Sequence, residues 1–92
     1  MTLKDTVELM TSENWKDRFV AEYRQTKIRY EKLKRLNTKI EAAEYTRGSD
    51  TDIRVTMPLH DCPSYLLKDQ QHFMGEYLHI LEVRAAIEGI DL

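Results

Sequence analysis

The residues best suited to bind a charged ligand lie on one helical segment in the first half of the chain. Lys27, Tyr30 and Lys34 are three and four residues apart, which places them on one face of a helix. Tyr23 and Arg24 lie one turn earlier, on the same side or just beside it. Basic side chains next to tyrosine rings can hold a phosphate and stack on a nucleotide base. These five residues are the candidate ligand site, although the tyrosines also fit the core of a helix pair.

The charge of the chain is unevenly distributed around this candidate site. Between Arg24 and Lys39, seven basic residues stand against one acid, Glu31, so the segment carries +6 in a chain of net charge −2. From Asp61 to Leu92, six acids stand against two bases, a net charge of −4. Two interpretations remain open: the basic helix packs beside the acidic one, or its basic face binds phosphates. The sequence pI of about 5.9 argues against extended nucleic acid, because domains that bind it are typically basic.

No group of residues has the spacing of a catalytic or metal centre. His60 and Cys62 lie two apart, but no second pair of ligands follows at a zinc-site spacing. His72 and His79 share a helical face without the Glu-x-x-His pattern of metal sites in helix bundles. The sequence also lacks a phosphate-binding glycine-rich loop and a nucleophile elbow. We therefore expect no catalytic residue, no metal and no cofactor, and a protein that is not an enzyme.

Two helices are expected before the middle of the chain. A short helix is predicted over about residues 3–10, after which Thr11 and Ser12 offer a new N-cap. The second helix is predicted over about residues 13–43, because its apolar residues follow a heptad pattern. The positions of this seam are Phe19, Tyr23, Thr26, Tyr30, Leu33, Asn37 and Ile40. An asparagine at an a position, such as Asn37, sets register and partner number at a cost in stability.

A connector over residues 45–61 precedes the last helix. Within it, Ile53–Met57 alternates apolar and polar residues, which is typical of a short strand or of an extended loop. The last helix is predicted over about residues 62–88, with Asp61 as its N-cap and Gly89 as its stop.

Two adjacent apolar stripes run along the last helix. The first consists of Leu66, Phe73, Tyr77, Ile80 and Ile87, with Gln70 and Arg84 in line. The second consists of Leu67, Met74, Leu78, Leu81 and Ala85, with Gln71 in line. A helix with so wide an apolar face is buried on two sides, and a chain of 92 residues must supply the second side largely from another copy. We expect a homo-oligomer whose interface contains Leu67, Met74, Leu78 and Leu81, with Gly75 allowing another backbone to approach closely.

The sequence therefore predicts one all-α domain over residues 1–92. It is a helical hairpin of two long antiparallel helices, preceded by a short N-terminal helix and assembled as an oligomer. Cys62 is the only cysteine, which is typical of a reducing compartment. The sequence has neither a signal peptide nor an apolar run of membrane-spanning length, so we expect a soluble cytoplasmic protein with no membrane partner.

Several segments resemble a family of short proteins from phages and prophages of gut Firmicutes, commonly described as related to a crAss-like phage gene product. These segments are Glu22–Leu33, Cys62–Gln70, Met74–Leu78 and Leu81–Gly89. The resemblance covers most of the chain outside residues 46–60. That family has no settled activity, so the resemblance implies a phage origin and a bacterial host cell, and no chemistry.

The plan of two antiparallel helices is also similar to the helical hairpin of phage sponge proteins. Those proteins form symmetric oligomers and sequester cyclic oligonucleotide signals of bacterial immunity systems such as CBASS. No segment of this chain matches their ligand-binding motif, so the similarity is one of architecture and transfers no residue.

Three functions remain open at this point. The first hypothesis is a phage counter-defence protein that sequesters a cyclic nucleotide or oligonucleotide through the five residues of the candidate site. The second is an inhibitor of the anti-CRISPR type, which binds a host nuclease or another host defence protein. Its acidic segments, Asp50–Asp52 and the region from Asp61 onward, would then mimic phosphates. The third is a structural or assembly adaptor.

Overall fold

The computed structural model describes residues 1–47 and 56–92, and all regular structure within these two ranges is helical. In chain order the elements are a 3₁₀ turn (Lys4–Thr6), α1 (Val7–Met10), α2 (Trp15–Tyr45) and α3 (Ser64–Glu88). The prediction of an all-helical chain with two long helices is confirmed. None of the helices in the described ranges is long and apolar enough to cross a membrane.

Helix α2 begins after Asn14, because this residue, rather than Thr11 or Ser12, is its N-cap. Asn14 Oδ1 accepts a hydrogen bond from the Lys16 N–H at 3.0 Å. The Ser12 hydroxyl supports this cap, since it accepts from the Asn14 N–H at 3.1 Å and donates to the Asp17 carboxylate at 2.7 Å. The predicted cap at Thr11 or Ser12 is therefore wrong.

Helices α2 and α3 run antiparallel and enclose the core between them. Tyr23, near the start of α2, contacts Glu82 near the end of α3, whereas Asn37 contacts Leu67 near the start of α3. The buried core cluster consists of Phe19, Tyr23, Leu78, Leu81 and Ala85. The predicted heptad seam of α2 is thus the face that packs on α3.

Asn37 fixes the register of this helix pair. Its side chain is 5% exposed, and its Nδ2 donates to the Leu67 carbonyl at 3.1 Å and to Gln71 Oε1 at 2.8 Å. Its Oδ1 is buried without a hydrogen-bond partner among the described residues. Because both donated bonds reach the start of α3, sliding one helix along the other would leave a buried amide with no partner.

The two ends of α3 differ in how well the sequence predicts them. At the start, the N-cap is Pro63 rather than Asp61, and no side chain caps the helix. Asp61 lies two residues before this N-cap position, so the predicted cap is wrong. At the end, Gly89 has φ 69°, and the Ile90 N–H donates to the Ala85 carbonyl at 2.9 Å. This left-handed glycine is the predicted stop.

The connector is described only in part. Of the segment predicted as a strand or loop, residues 53–55 lie outside the described ranges. Thr56 and Met57 have no regular secondary structure. The predicted acidic segment Asp50–Asp52 also lies outside the described residues.

The two apolar stripes of α3 have different surroundings. The second stripe faces α2, and we call it the inner seam: Leu67, Gln71, Met74, Leu78, Leu81 and Ala85. The first stripe stays at the surface, and we call it the outer seam: Leu66, Gln70, Phe73, Tyr77, Ile80, Arg84 and Ile87. Phe73 and Ile87 are 66% and 79% exposed. Among the described elements α3 packs only on α2. Two members of the outer seam reach α2, Tyr77 through Glu22 and Arg84 over the Phe19 ring, so the uncovered part is its apolar d residues.

Candidate ligand-binding cavity

Basic side chains form a stripe along α2 beside the face that packs on α3. Arg24, Lys27, Lys34 and Arg35 follow a spacing of three or four residues through Glu31, which places all five on one side of the helix. None of these four cations has a carboxylate within ion-pair distance in residues 1–47 and 56–92, where both ion pairs lie inside α3. The stripe therefore offers positive charge that acidic α3 does not neutralise directly.

The N-terminal segment turns part of this stripe into a cavity of about 450 Å³. Residues 1–3 form one wall. The opposite wall, on α2, consists of Arg24, Lys27, Ile28, Glu31, Lys32 and Arg35. Four cations and one carboxylate give this α2 wall a net charge of +3. The volume lies in the range of roughly 300–1,000 Å³ that small-molecule sites occupy.

Contacts of the 3₁₀ turn hold the N-terminal wall against α2. Thr6 and Ala21 are both fully buried, and small side chains of this kind let two segments approach closely. Gln25 Nε2 donates to Thr6 Oγ1 at 2.9 Å and to Met10 Sδ at 3.1 Å. Thr6 Oγ1 donates in turn to the Leu3 carbonyl at 2.7 Å. Because Leu3 belongs to the cavity wall, this chain of hydrogen bonds links the wall to α2.

A local turn shapes the same wall. The Asp5 carboxylate accepts hydrogen bonds from the Thr2 N–H at 2.8 Å and from the Thr2 hydroxyl at 3.1 Å. The bond from the Thr2 N–H is the main cause that holds the pKa of Asp5 below its usual value, and the hydroxyl bond adds to it. The arrangement is half of a capping box, with aspartate as the residue that reaches back.

The two tyrosines of the candidate site pack between the long helices. Tyr23 is 6% exposed, and its hydroxyl donates to Glu82 at 2.5 Å. Burial, reinforced by this bond and by the Glu82 charge, raises the pKa of Tyr23 to about 12. The Tyr30 ring lies over Gly75, where an added Cβ would be 3.3 Å from the ring. Tyr23 is thus a core residue with no exposed face for a base, and Tyr30 is partly covered.

The five residues predicted to bind a ligand are divided among neighbouring depressions. Arg24 and Lys27 line the N-terminal cavity. Tyr23, Lys27 and Tyr30 border a cleft of about 230 Å³ between the long helices. Lys34 lines a groove of about 300 Å³ farther along α2. Glu31 and Arg35 line both this groove and the N-terminal cavity. Lys27 is therefore the one predicted residue that borders both the cavity and the cleft.

One known protein family matches a segment of the chain that contains α2 and nearly all of α3. The model of the Sequestin family matches residues 13–87. This chain belongs to the Sequestin family. No curated protein and no solved structure matches it. The Sequestin match includes the basic stripe and both seams of α3, and it begins after the N-terminal wall of the cavity.

In this Sequestin family member, sequence reasoning misses Lys32, Arg35 and the N-terminal wall. Both basic residues belong to the +6 segment, but the spacing to Tyr30 selects Lys27 and Lys34 instead. The wall itself has no periodic signal. The spacing of Thr2 and Asp5 predicts a local turn, and nothing in it indicates that the turn packs on α2.

The residues predicted at an oligomer interface lie on the inner side of α3. Leu78 and Leu81 are 6% and 2% exposed and pack against α2 of the same chain. Leu67 and Met74 are half-buried on the same side. Gly75 lies against the Tyr30 ring of its own chain, and the close approach of another backbone at this position stays a prediction. The apolar residues of the outer seam, in contrast, are exposed.

The histidines and the cysteine occupy separate places. No three His, Cys, Asp or Glu side chains in the described ranges are grouped closely enough to hold a metal ion. His60 Nδ1 lies 2.7 Å from the Cys62 carbonyl oxygen, which closes a turn before α3. His72 Nε2 lies 3.1 Å from Glu76, one turn later on the same helix.

Proposed function

We propose that this Sequestin family member binds and sequesters a cyclic nucleotide or oligonucleotide signal of bacterial immunity. It would act in the cytoplasm of a phage-infected cell and lower the free concentration of the signal without converting it. The name of the family denotes sequestration and supports this class of function. The observation that carries the proposal is the N-terminal cavity, whose α2 wall has a net charge of +3 and four cations that form no ion pair with a described carboxylate.

These cations suit phosphate groups. Arg24 and Arg35 can each donate two parallel hydrogen bonds to phosphate oxygens, and Lys27 and Lys32 supply compact charges between them. A dianionic ligand needs at least two such contacts, and the cavity wall offers more. No ion pair between these cations and a described carboxylate has to be broken when an anion binds.

Other residues of the cavity favour a nucleotide over inorganic phosphate. The Glu31 carboxylate only accepts hydrogen bonds, so it would repel a free phosphate but can accept from a ribose hydroxyl or from a base amino group. Leu3 and Ile28 provide apolar surface on opposite walls, suited to the faces of a sugar or a base.

The proposed contacts therefore differ from those that the sequence predicts. Arg24 and Lys27 remain, Lys32 and Arg35 join them, and Lys34 would contact only a ligand that extends into the neighbouring groove. Tyr23 and Tyr30 act indirectly, because they hold α2 against α3 beneath the stripe.

The first test measures binding by the purified protein alone, with no host protein present. Thermal denaturation would be followed with a panel of cyclic mononucleotides, dinucleotides and trinucleotides. A ligand at about 100 times its Kd stabilises the folded state by about 2.7 kcal/mol, which raises the Tm of a domain this small by roughly 10 °C or more. If no member of the panel raises the Tm, the proposal fails, and a host protein becomes the target to seek.

The second test locates the site. The double variant Lys27→Glu, Arg35→Glu should weaken binding of the active ligand by about 100-fold or more, since it removes two charge-assisted contacts worth about 1.5–3 kcal/mol each. Lys16→Glu with Lys68→Glu is the matched control, because both residues are exposed and outside the cavity while the change in net charge is identical. Isothermal titration calorimetry would compare the two. Equal weakening in both variants would show that only overall charge matters, and the cavity would not be the site.

A further inference from the structure

The exposed side of α3 carries a complete second heptad seam. Its d positions recur every seven residues, and its a positions alternate with them at intervals of four and three. The d residues are Leu66, Phe73, Ile80 and Ile87, and the a residues are Gln70, Tyr77 and Arg84. This is the repeat that one helix presents to another in a coiled coil. Because α2 already occupies the inner seam, α3 has the pattern of a helix that packs between two others.

The outer seam exposes enough apolar surface for an interface. Leu66, Phe73, Ile80 and Ile87 are 50%, 66%, 55% and 79% exposed. With usual side-chain areas these fractions leave roughly 500 Å² of apolar surface, in the upper part of the range of about 300–600 Å² for the largest patch on a monomer. Covering it on two copies buries roughly 1,000 Å², and the flanking polar atoms extend this toward the roughly 1,200–2,000 Å² of a stable complex.

The repeat of the seam also identifies its occupant. The 3₁₀ turn and α1 pack on α2, and no described element covers the four d residues of the outer seam, although Tyr77 and Arg84 at its a positions reach α2. From Leu66 to Ile87 the seam is about 32 Å long, and it requires a straight helix of similar length and the same repeat. Helix α3 of a second copy meets both conditions, because a two-fold contact pairs a surface with itself. We propose that two copies of this chain associate through their outer seams, with the two α3 helices antiparallel at the centre of a four-helix assembly.

Arg84 decides the orientation. In a parallel pair a positions face a positions, so two Arg84 guanidinium groups would meet inside the interface. In an antiparallel pair a positions face d positions, so the two Arg84 side chains lie apart, and each keeps its guanidinium over the Phe19 ring of its own α2, 4.9 Å from the ring centroid. Glu88, 3.2 Å from Arg84 on the same helix, neutralises the charge as water is excluded.

The association is tested by mass. Sedimentation equilibrium of the full chain over a concentration series should give twice the monomer mass of 10.9 kDa. Phe73→Glu should raise the dimer dissociation constant at least 100-fold and leave helicity unchanged, because the side chain is exposed in the monomer. Tyr45→Glu is the matched control, since Tyr45 is also an exposed aromatic residue (82%) but lies outside α3, and this variant should stay dimeric. A monomeric parent protein, or a Phe73→Glu variant that stays dimeric, overturns the proposal.

A second variant provides the test if Phe73→Glu does not fold. Ile87→Glu replaces the most exposed apolar residue of the outer seam and should also dissociate the dimer while circular dichroism remains that of the parent. If Phe73→Glu lost helicity, a folded Ile87→Glu variant of dimeric mass would contradict the proposal, and a folded monomer would support it.

The orientation is tested with the single native cysteine. Cys62 is exposed and lies just before α3, so it can carry a spin label without any substitution. Antiparallel pairing places the two labels about 40–50 Å apart, given the rise of 1.5 Å per residue. A distance below about 25 Å, or a disulfide between the two Cys62 residues, would mean parallel pairing and would reject the orientation.

This proposal is independent of the ligand site, because the outer seam lies on α3 and the cavity lies between α2 and the N-terminal segment. A dimer that binds no nucleotide would contradict only the proposed function. A monomer that binds one would contradict only the proposed dimer.

Discussion

The inner and outer seams of α3 have the same repeat and similar apolar residues, but α2 buries the apolar residues of only one of them. Leu81 in the inner seam is 2% exposed, whereas its neighbour Ile80 in the outer seam is 55% exposed. A step of one residue around the helix thus separates the core of the monomer from its surface. The difference shows that apolar periodicity indicates how many neighbours a helix has, and it does not indicate which seam the chain itself covers.

The largest expected effect is the loss of stability on truncating Leu81, compared with the same truncation at its neighbour Ile80. Leu81→Ala should lower the free energy of unfolding by about 3 kcal/mol, because it removes buried methyl groups and leaves a cavity. Ile80→Ala should cost less than about 1 kcal/mol at low protein concentration, where the outer seam is exposed to water in both folded and unfolded chains. Urea denaturation measures both losses in the free energy of unfolding, provided that the variants have the same m-value as the parent.

Protein concentration sharpens this test. The loss for Leu81→Ala should be the same at every concentration, because its packing partners belong to the same chain. The loss for Ile80→Ala should grow as concentration rises, because association stabilises the folded state by mass action. If both variants lost the same free energy of unfolding at low concentration, the inner seam would not be more deeply buried than the outer seam in the monomer.

A pair of tyrosines extends the comparison to hydrogen bonds between the long helices. The hydroxyl of Tyr23, which is buried, donates a hydrogen bond to Glu82 at 2.5 Å. The hydroxyl of Tyr77, an outer-seam residue that is 40% exposed, donates a hydrogen bond to Glu22 at 2.6 Å. The pKa of Tyr77 is raised first by its hydrogen bond and then by burial, while burial is the main cause for Tyr23. The buried tyrosine should therefore give the stronger dependence of stability on alkaline pH.

The sign of that dependence follows from the direction of the shift. The pKa of Tyr23 is about 12 in the folded chain and near 10 in the unfolded one, so its contribution is fully present below pH 10 and is lost as pH rises toward 12. Relative to Tyr23→Phe, the parent should lose roughly 2–3 kcal/mol across this window. Urea denaturation at several pH values would measure it, with Tyr77→Phe as the exposed control. An identical pH profile for the parent and Tyr23→Phe would contradict the assignment.

Much of the fold could be predicted because it depends on repeated positions. The heptad of α2, the two stripes of α3 and the glycine stop at Gly89 all recur or lie at defined ends, so each has a local signal. The caps at Asn14 and Pro63 differ from the predicted ones by a few residues, because several polar residues near each start compete for the same role.

Less of the candidate site could be predicted, because it depends on one non-periodic contact. The +6 segment of α2 is visible in the sequence, and Arg24 and Lys27 do line the cavity. The wall opposite them exists because Gln25 bonds to Thr6, a pair of ordinary polar residues whose contact no spacing rule indicates. The sequence therefore indicates the charges of the site and not the space between its walls.

The smallest expected effect concerns Gly75, which the sequence predicts at an interface between chains. Gly75→Ala removes a helix-interior glycine, a change worth about 1 kcal/mol in favour of the helix. The new Cβ would lie 3.3 Å from the Tyr30 ring, so the ring must shift and most of that gain should be lost. In a Tyr30→Ala background the ring is gone, and the same substitution should stabilise the chain by the full amount of about 1 kcal/mol. A double-mutant cycle by urea denaturation measures the difference, and the dimer mass should be unchanged, because Gly75 faces α2. If Gly75→Ala instead dissociated the dimer, the partner would pack on the inner side of α3, and the division between the two seams would have to be redrawn.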